Sequence, residues 1–471
     1  MLSFEAMQEI LLGIQVAERE LLLFTSFWFL VGAIDEFAVD LLWIWLKLTG
    51  RAHVSHISGD DAHAALRGPA AVFIPCWQEA DVIGHTVAHA LEAWRQDAFT
   101  LYVGCYSNDP DTVSAASKAA GCDPRVRIVI HECPGPTTKA DCLNRLYQAL
   151  QHDEDRYGRR FRCIVLHDSE DMVHPAELAV IDRGLDDADF VQLPVRPEPQ
   201  PSSPWVAGHY SDEFTESHAK AMIVRDALGA AIPAAGVACG FSRDFISATA
   251  QRRVREGGAG PFASECLTED YELGVLVWRD GGRSRFLRLR DQHGALVATR
   301  AFFPARLDDA VRQKARWMHG IAFQSWDRLG WSRGYMDLWM ALRDRKGPLA
   351  AIVLACGYAL IVLQGIIALA WLSGIREPLP LTPVLRMALG LCLASLLWRA
   401  MMRAAFTAHE YGIAEGLRAL LRMPVANIIA IMAGRRAMVA YVATFLGFEA
   451  KWDKTSHDAH PAMVVTKAAG H

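Results

Sequence analysis

The chain carries two kinds of apolar run. Between residues 68 and 171 the runs are short, and most end in a polar cluster. "AAVFIP" precedes Glu79, "FTLYVGCY" precedes Asn108 and Asp109, "RVRIVI" precedes a Pro/Gly turn, and "RFRCIVL" precedes Asp168-Ser169-Glu170-Asp171. Stretches with helical spacing follow each of them: "VIGHTVAHALEAWRQ", Asp111 to Ala120, a segment opening near Thr138, and one from Pro175. Short apolar strands alternating with helices predict a parallel α/β sheet, in which ligands bind beyond the carboxyl ends of the strands. The polar clusters fall at those ends.

The second kind of run is long. Leu349 to Ser373 is uncharged throughout, enough to cross a hydrocarbon core of about 30 Å. A shorter run, Val384 to Trp398, follows the break "GIREPLPLTP". Leu21 to Leu46 is apolar and Trp-rich but interrupted by Asp35, Glu36 and Asp40. It reads as a membrane anchor whose carboxylates face protein or a water-filled cavity, with a re-entrant or interfacial helix as the alternative. Lys47, Arg51, Arg343, Arg345, Lys346, Arg399, Arg403, Arg418 and Arg422 flank the runs on one side, and Arg376 alone lies between the second and third. Positive-inside bias then puts residues 50–348 and the C-terminal tail in the cytosol. Residues 409–445, with Pro424 in the middle, predict one or two interfacial helices, a fourth span being the alternative.

The expected organisation is therefore an N-terminal segment 1–20, an anchor 21–46, a cytosolic domain 47–348, a hairpin 349–405, and interfacial helices with a tail over 406–471. Residues 196–204, "RPEPQPSSP", read as a surface loop. The 471 residues are 52% hydrophobic, in keeping with a lipid bilayer as one partner, and the net charge of -5 excludes a nucleic-acid partner recognised by a polycationic surface. The 10 cysteines form no C-x-x-C pair and read as reduced, buried thiols.

Four constellations carry chemistry. Asp168, Glu170 and Asp171 offer oxygen ligands of the kind Mg²⁺ or Mn²⁺ prefers, or else form a solvated helix start. Glu269 and Asp270 in "CLTEDYELG" suit a general base, or the acidic first turn of a helix opening near Tyr271. Gln313, Arg316 and Trp317 in "RQKARWMHG" fall on consecutive helical turns. There Arg can neutralise a diphosphate and Trp can face a sugar ring, or the segment is a basic amphipathic helix. Lys139 in "PGPTTKADCLN" is a cation suited to phosphate, and Asn108 and Asp109 in "YSNDPD" can read a base or ribose.

In this order, ahead of an apolar hairpin, these groups resemble the processive family 2 glycosyltransferases, inverting membrane enzymes that include cellulose, hyaluronan and chitin synthases. The likeness covers roughly residues 68–405, and Thr-Glu-Asp with Gln-x-x-Arg-Trp is its most specific part. "NDPDT", "GPTTKADCLN", "LHDSED", "DEFTESH", "LTEDYELG", "RQKARW" and "KWDKTSHD" are closest to the phage adsorption protein B group, bacterial inner-membrane enzymes that make a surface polysaccharide with an outer-membrane partner. Members of that group often continue into a cyclic-di-GMP-binding domain, and no such module is expected within this chain.

The resemblance implies an α/β GT-A fold, a Rossmann-like mixed sheet in the cytosol, plus transmembrane and interfacial helices. It implies transfer from a UDP-sugar, an N-acetylhexosamine such as N-acetylmannosamine, to a growing glycan acceptor. Glu79 and Asp109 would hold the uridine and Lys139 would lie near the nucleotide. Asp168 with Glu170 or Asp171 would hold Mg²⁺ or Mn²⁺. Asp270 would be the base beside Glu269. Gln313, Arg316 and Trp317 would close on diphosphate and acceptor, and Gly240 and Phe241 would touch the acceptor. An outer-membrane export partner and a homodimer stay open. The rival expectations are transfer of one sugar to a polyprenyl-phosphate or other lipid, and a scaffold that binds nucleotide-sugar without turnover.

Overall fold

Seven strands form the central sheet of the computed structural model, which describes residues 4–52, 54–332, 334–447 and 460–462. They are β1 (Ala70–Pro75), β2 (Phe99–Tyr106), β3 (Val126–His131), β4 (Cys163–Leu166), β5 (Phe190–Gln192), β6 (Cys239–Ser242) and β7 (Ser284–Phe286). Their order is β3-β2-β1-β4-β6-β5-β7. β3, β2, β1 and β4 are mutually parallel, as the alternation of strands and helices predicts. β6 departs from that expectation and runs antiparallel to both β4 and β5. It is reached through a long excursion, residues 193–238, instead of a single helical crossover. The result is the mixed sheet of the GT-A fold.

Burial alternates along the strands as the pleat requires. Val72, Ile74, Leu101, Val103 and Val165 join Ile83, Val87 and Trp94 on one face. Ala71, Phe73, Tyr102, Ile164 and Leu166 join Leu143, Leu146 and Leu150 of the Lys139–Tyr157 helix on the other. Each Val, Leu, Ile or Phe side chain among them contributes about 1.5–3 kcal/mol on burial. Because β1, β2 and β4 are parallel, the polar clusters after Pro75, Tyr106 and Leu166 emerge at one edge. Leu166 pairs with Cys239, so the residues leading into β6 arrive at that same edge.

Four helices among the described residues are long and apolar enough to cross a membrane: Phe4–Leu48, Gly347–Leu372, Pro383–Tyr411 and Ile413–Thr444. The first starts at Phe4, so residues 4–20 belong to the anchor helix and form no separate segment. Gln15 Nε2 donates to the Glu377 carbonyl (2.8 Å) and Arg376 Nε to Gln15 Oε1 (3.0 Å), which pins this extension to the hairpin loop. The anchor's carboxylates face protein, as expected. Glu36 pairs with Arg343 and Arg399, each at 3.0 Å, and Asp35 with Lys346 at 3.0 Å. Asp40 accepts from Lys220 Nζ (2.6 Å) and Trp398 Nε1 (2.8 Å).

Ile413–Thr444 is one helix that continues through Pro424. The chain turns into it at Gly412, whose φ of +93° only glycine adopts without strain. Arg422 pairs with Asp212 (2.7 Å), Ile429 packs beside Tyr210 and Val311, and Tyr441 Oη donates to Asp327 (3.0 Å). Most of 196–204 is a loop with Pro199, Pro201 and Ser202 exposed, fastened by the pairing of 195–197 with 299–301 and by Ser203 Oγ, which donates to the Ala305 carbonyl. One other expectation changes. Cys122 and Cys133 are exposed, at a helix end and a turn, unlike the buried cysteines of the sheet. The "KWDKTSHD" segment lies outside the described residues.

Candidate active site

A cleft of about 460 Å³ opens at the carboxyl edge of the sheet. Lys139 enters it from the first turn of its helix, where Thr138 and Asp141 form a reciprocal capping box. Its ammonium pairs with Asp168, the first carboxylate after β4, whose side chain is 36% exposed. Asp171 also lines the cleft, with one oxygen committed to its own loop. Its Oδ2 accepts from His167 Nδ1 (2.9 Å) and from the Asp168 amide (3.0 Å). The other His167 nitrogen meets Glu177 at 2.7 Å, and Glu177 accepts from Thr299 Oγ1 at 2.9 Å. Burial disfavours charge on His167, but Glu177 and Asp171 outweigh it and raise the imidazole to about 10. Asp171 thus braces the loop, and Asp168, Glu170 and Asp171 all border the cleft, Glu170 with Ser169 Oγ at 3.1 Å from its Oε2.

The facing wall is the start of the Glu269–Arg279 helix, so Glu269 and Asp270 lie in its first turn and not ahead of it. Gly236, at φ +74°, lets this wall close: a Cβ there would stand 2.5 Å from Asp270 Oδ2 and 3.3 Å from Lys139 Nζ. Burial, then the neighbouring Asp270, pushes Glu269 up to about 8. Burial also raises Asp270, against the pull of Lys139. Burial works against the Lys139 charge, yet Asp168, Glu269 and Asp270 together hold its pKa well above the usual lysine range.

The Leu307–Met318 helix supplies the third wall, with Gln313, Arg316 and Trp317 all lining the cleft. Arg316 makes no ion pair among the described residues, and it faces the negative field of Glu269 and Asp270. Gln313 Oε1 is buried without a hydrogen-bond partner among the described residues, the condition of a group that waits for a ligand. Trp317 stands in an aromatic wall with Phe214 (6.3 Å between ring centroids) and Tyr210 (6.2 Å). The next turn is a π-helix, His319–Gln324, whose Gln324 Oε1 accepts from the Leu267 amide (3.0 Å). A second π-helix, Ser217–Ala221, contributes Ser217 and His218 to the cleft. Such segments concentrate at functional sites.

Glu79 lines the cleft as expected. Asn108 and Asp109 do not. Asn108 exchanges hydrogen bonds with the Gly135 backbone (2.7 and 2.8 Å), and Asp109 caps the Pro110–Ala120 helix and accepts from the Gln78 amide (2.5 Å). Asp109 thus shapes the loop that presents Glu79, and Asn108 shapes the turn ahead of Lys139. Gly240 and Phe241 sit inside β6, which removes them from any acceptor contact. A Cβ at Gly240 would meet Ile181 at 2.2 Å, and Phe241 stacks on Phe190 in the core. Sequence reasoning missed Trp77, Tyr106 and His218 as cleft residues, and Gly236 as the residue that lets Asp270 and Lys139 approach each other. The glycine inside "AAGVACG" was the one usable signal among them.

Residues 68–320 match the model of glycosyltransferase like family 2. The chain is 30% identical over 457 residues to bacteriophage adsorption protein B of Escherichia coli strain K12, covering 91% of this chain and 60% of that one. The same figures hold for bacteriophage N4 adsorption protein B of Escherichia coli O157:H7, so the chain spans about three fifths of the length of these curated relatives. Among solved structures, a mannosyltransferase from Pyrobaculum calidifontis in complex with GDP-Man and Mn²⁺ is similar at 16% identity and a TM-score of 0.49, covering 89% of this chain and 99% of that one. A glucosyl-3-phosphoglycerate synthase from Mycobacterium tuberculosis, with Mn²⁺, UDP and phosphoglyceric acid, has 18% identity and a TM-score of 0.34, covering 56% and 79%. With more than half of its length matched by the family model, the chain belongs to the glycosyltransferase family 2 proteins.

Proposed function

We propose that the chain is a membrane-embedded inverting glycosyltransferase that passes a sugar from a UDP-sugar to the end of a growing surface polysaccharide. The observation that carries this reading is the convergence of Lys139, Asp168, Asp270 and Arg316 on one cleft from four separate segments. Asp270 takes the proton of the acceptor hydroxyl as its oxygen bonds to the sugar's anomeric carbon. The bond from that carbon to the diphosphate breaks, and UDP leaves with the electron pair. A base near neutrality suits proton transfer at ordinary pH, and burial raises Asp270 towards that range. Lys139 and Arg316 bring fixed positive charge to the departing diphosphate inside a partly enclosed site, where it acts more strongly than in water. Trp317 and its aromatic neighbours give the acceptor ring a flat apolar face.

The oxygen donors beside Lys139 fit a hard divalent cation. Asp168 and Glu170 would hold Mg²⁺ or Mn²⁺, which would supply further positive charge at the diphosphate. Asp171 is committed to His167 and the Asp168 amide, so Glu170 is the second ligand of choice. Relatives named for bacteriophage adsorption favour a product at the cell surface. The charge belt of Asp35 and Glu36 with Arg343, Lys346 and Arg399 supports a bacterial inner-membrane protein with the catalytic domain in the cytosol. Contacts from Arg422 to Tyr441 favour an interfacial setting for the last helix. Purified membranes incubated with a panel of UDP-sugars, N-acetylated hexosamines included, test the donor. Release of UDP with a polymer ladder on a gel supports the reading, and a single-sugar product would replace the growing chain with a lipid acceptor.

A further inference from the structure

A second cleft, of about 720 Å³, shares no residue with the first and opens where the anchor helix ends against the far edge of the sheet. Leu42, Trp45 and Leu46 form one wall, and Leu287, Arg288 and Leu289 the other. Arg51, Arg183, Arg285 and Arg288 line the cleft against Asp61, Asp187 and Asp226, with Arg183 paired to Asp61 and Arg285 to Asp226. Arg51 makes no ion pair among the described residues, and its guanidinium lies 5.0 Å from the Trp45 ring centroid. The Arg288 side chain is only 8% exposed, and its Nε has no hydrogen-bond partner among the described residues. Its Nη2 shares Glu410 with Arg290 (3.3 and 2.8 Å), and Arg196 approaches the same carboxylate at 3.7 Å. Glu198 also takes Arg196 (2.8 Å) and Arg300 (3.6 Å), so four guanidinium groups share two carboxylates, and Lys47 adds its own repulsion to Arg288. A buried cation left under-neutralised is unfavourable unless an anion joins it.

The surroundings of the cleft say what kind of anion. Ile34, Phe37, Leu41, Trp45 and Leu48 are exposed and recur at helical spacing, so one apolar stripe runs down the anchor past Asp35 and Glu36 to the mouth of the cleft. A stripe that ends in Trp beside Lys47 and Arg51 has the composition of a bilayer–water boundary. The ligand must therefore join a negative headgroup to apolar chains.

We propose that this cleft holds an anionic phospholipid of the cytosolic leaflet, its phosphate between Arg51 and Arg288 and its chains along Leu42, Trp45 and Leu46. The inference rests on the membrane placement proposed above and is independent of the sugar chemistry.

The full chain in mild detergent, titrated with short-chain phosphatidylglycerol, phosphatidylcholine and inorganic phosphate, tests it. Phosphatidylglycerol is expected to bind about ten-fold more tightly than phosphatidylcholine, and about five-fold more weakly to Arg51→Gln, a change of one exposed charge. Arg288→Gln is expected to weaken it at least as much. If that variant does not fold, the exposed Arg51 decides alone. Equal affinity for the two lipids, an undiminished Arg51→Gln affinity, or displacement by phosphate alone would overturn the proposal.

Discussion

Gly320 packs directly on Thr268: a Cβ at residue 320 would stand 2.3 Å from the Thr268 Oγ1. Two motifs far apart in the chain, Thr-Glu-Asp and Gln-x-x-Arg-Trp, are thus held in register by a missing methyl group. Gly320→Ala must push the Glu269–Asp270 turn away from Arg316. Misplacing a reacting group by about 1 Å can cost about 100-fold in rate. The variant is expected to keep its far-UV circular dichroism and lose about 10- to 100-fold in turnover. Unchanged turnover would show that the two motifs need no such contact.

The carboxylate pair gives a pH prediction. Asp270 works as a base only when ionised, so activity rises with pH through its raised pKa, and the acid limb of the kcat/KM profile lies above the ordinary carboxylate range. Glu269 is raised to about 8 by burial and then by Asp270, so it stays protonated while Asp270 ionises. Glu269→Gln imitates that neutral form, and the acid limb should stay in place. A limb that moves to lower pH would show that Glu269 is charged when Asp270 titrates.

Asp171 and Glu170 should separate cleanly in two measurements. Asp171 is buried against His167, so Asp171→Asn is expected to lower thermal stability by about 1–3 kcal/mol. Glu170→Gln should instead raise the Mn²⁺ concentration needed for half-maximal turnover, with little change in melting temperature. The opposite pattern would make Asp171 the metal ligand.

Lys220 links the anchor to the cleft wall. Its ammonium bonds Asp40 (2.6 Å) and Glu216 (2.9 Å), all three side chains are buried, and it sits in the same π-helix as His218. Lys220→Met leaves Asp40 without its cation, and breaking a buried pair in this way costs about 3–5 kcal/mol. A melting curve in detergent within a degree of the parent protein would contradict the buried triad.

Much of this was legible because buried strands write themselves as apolar runs with polar ends. β1, β2 and β4, and the carboxylates behind them, are readable for that reason. Asp109 was misjudged because a cap and a ligand use the same carboxylate, although Pro110 after it is the usual first residue of a capped helix. Phe241 was misjudged because β6 is four residues long and its partners, β4 and β5, are distant in sequence. The start of the anchor at Phe4 was hidden by Glu5, Glu9, Glu18, Arg19 and Glu20, which look like solvent-facing residues until the hairpin loop covers part of that face. Neither π-helix has a periodicity that single-sequence reading detects.

The central claim is that Asp270 accepts the acceptor's proton in a cleft that holds a UDP-sugar. UDP release by the purified, lipid-reconstituted chain, measured for the parent and for Asp270→Asn, tests it most directly. The account predicts divalent-metal-dependent release in the parent and a loss of about 100-fold or more in the variant. Undiminished release by Asp270→Asn would contradict it.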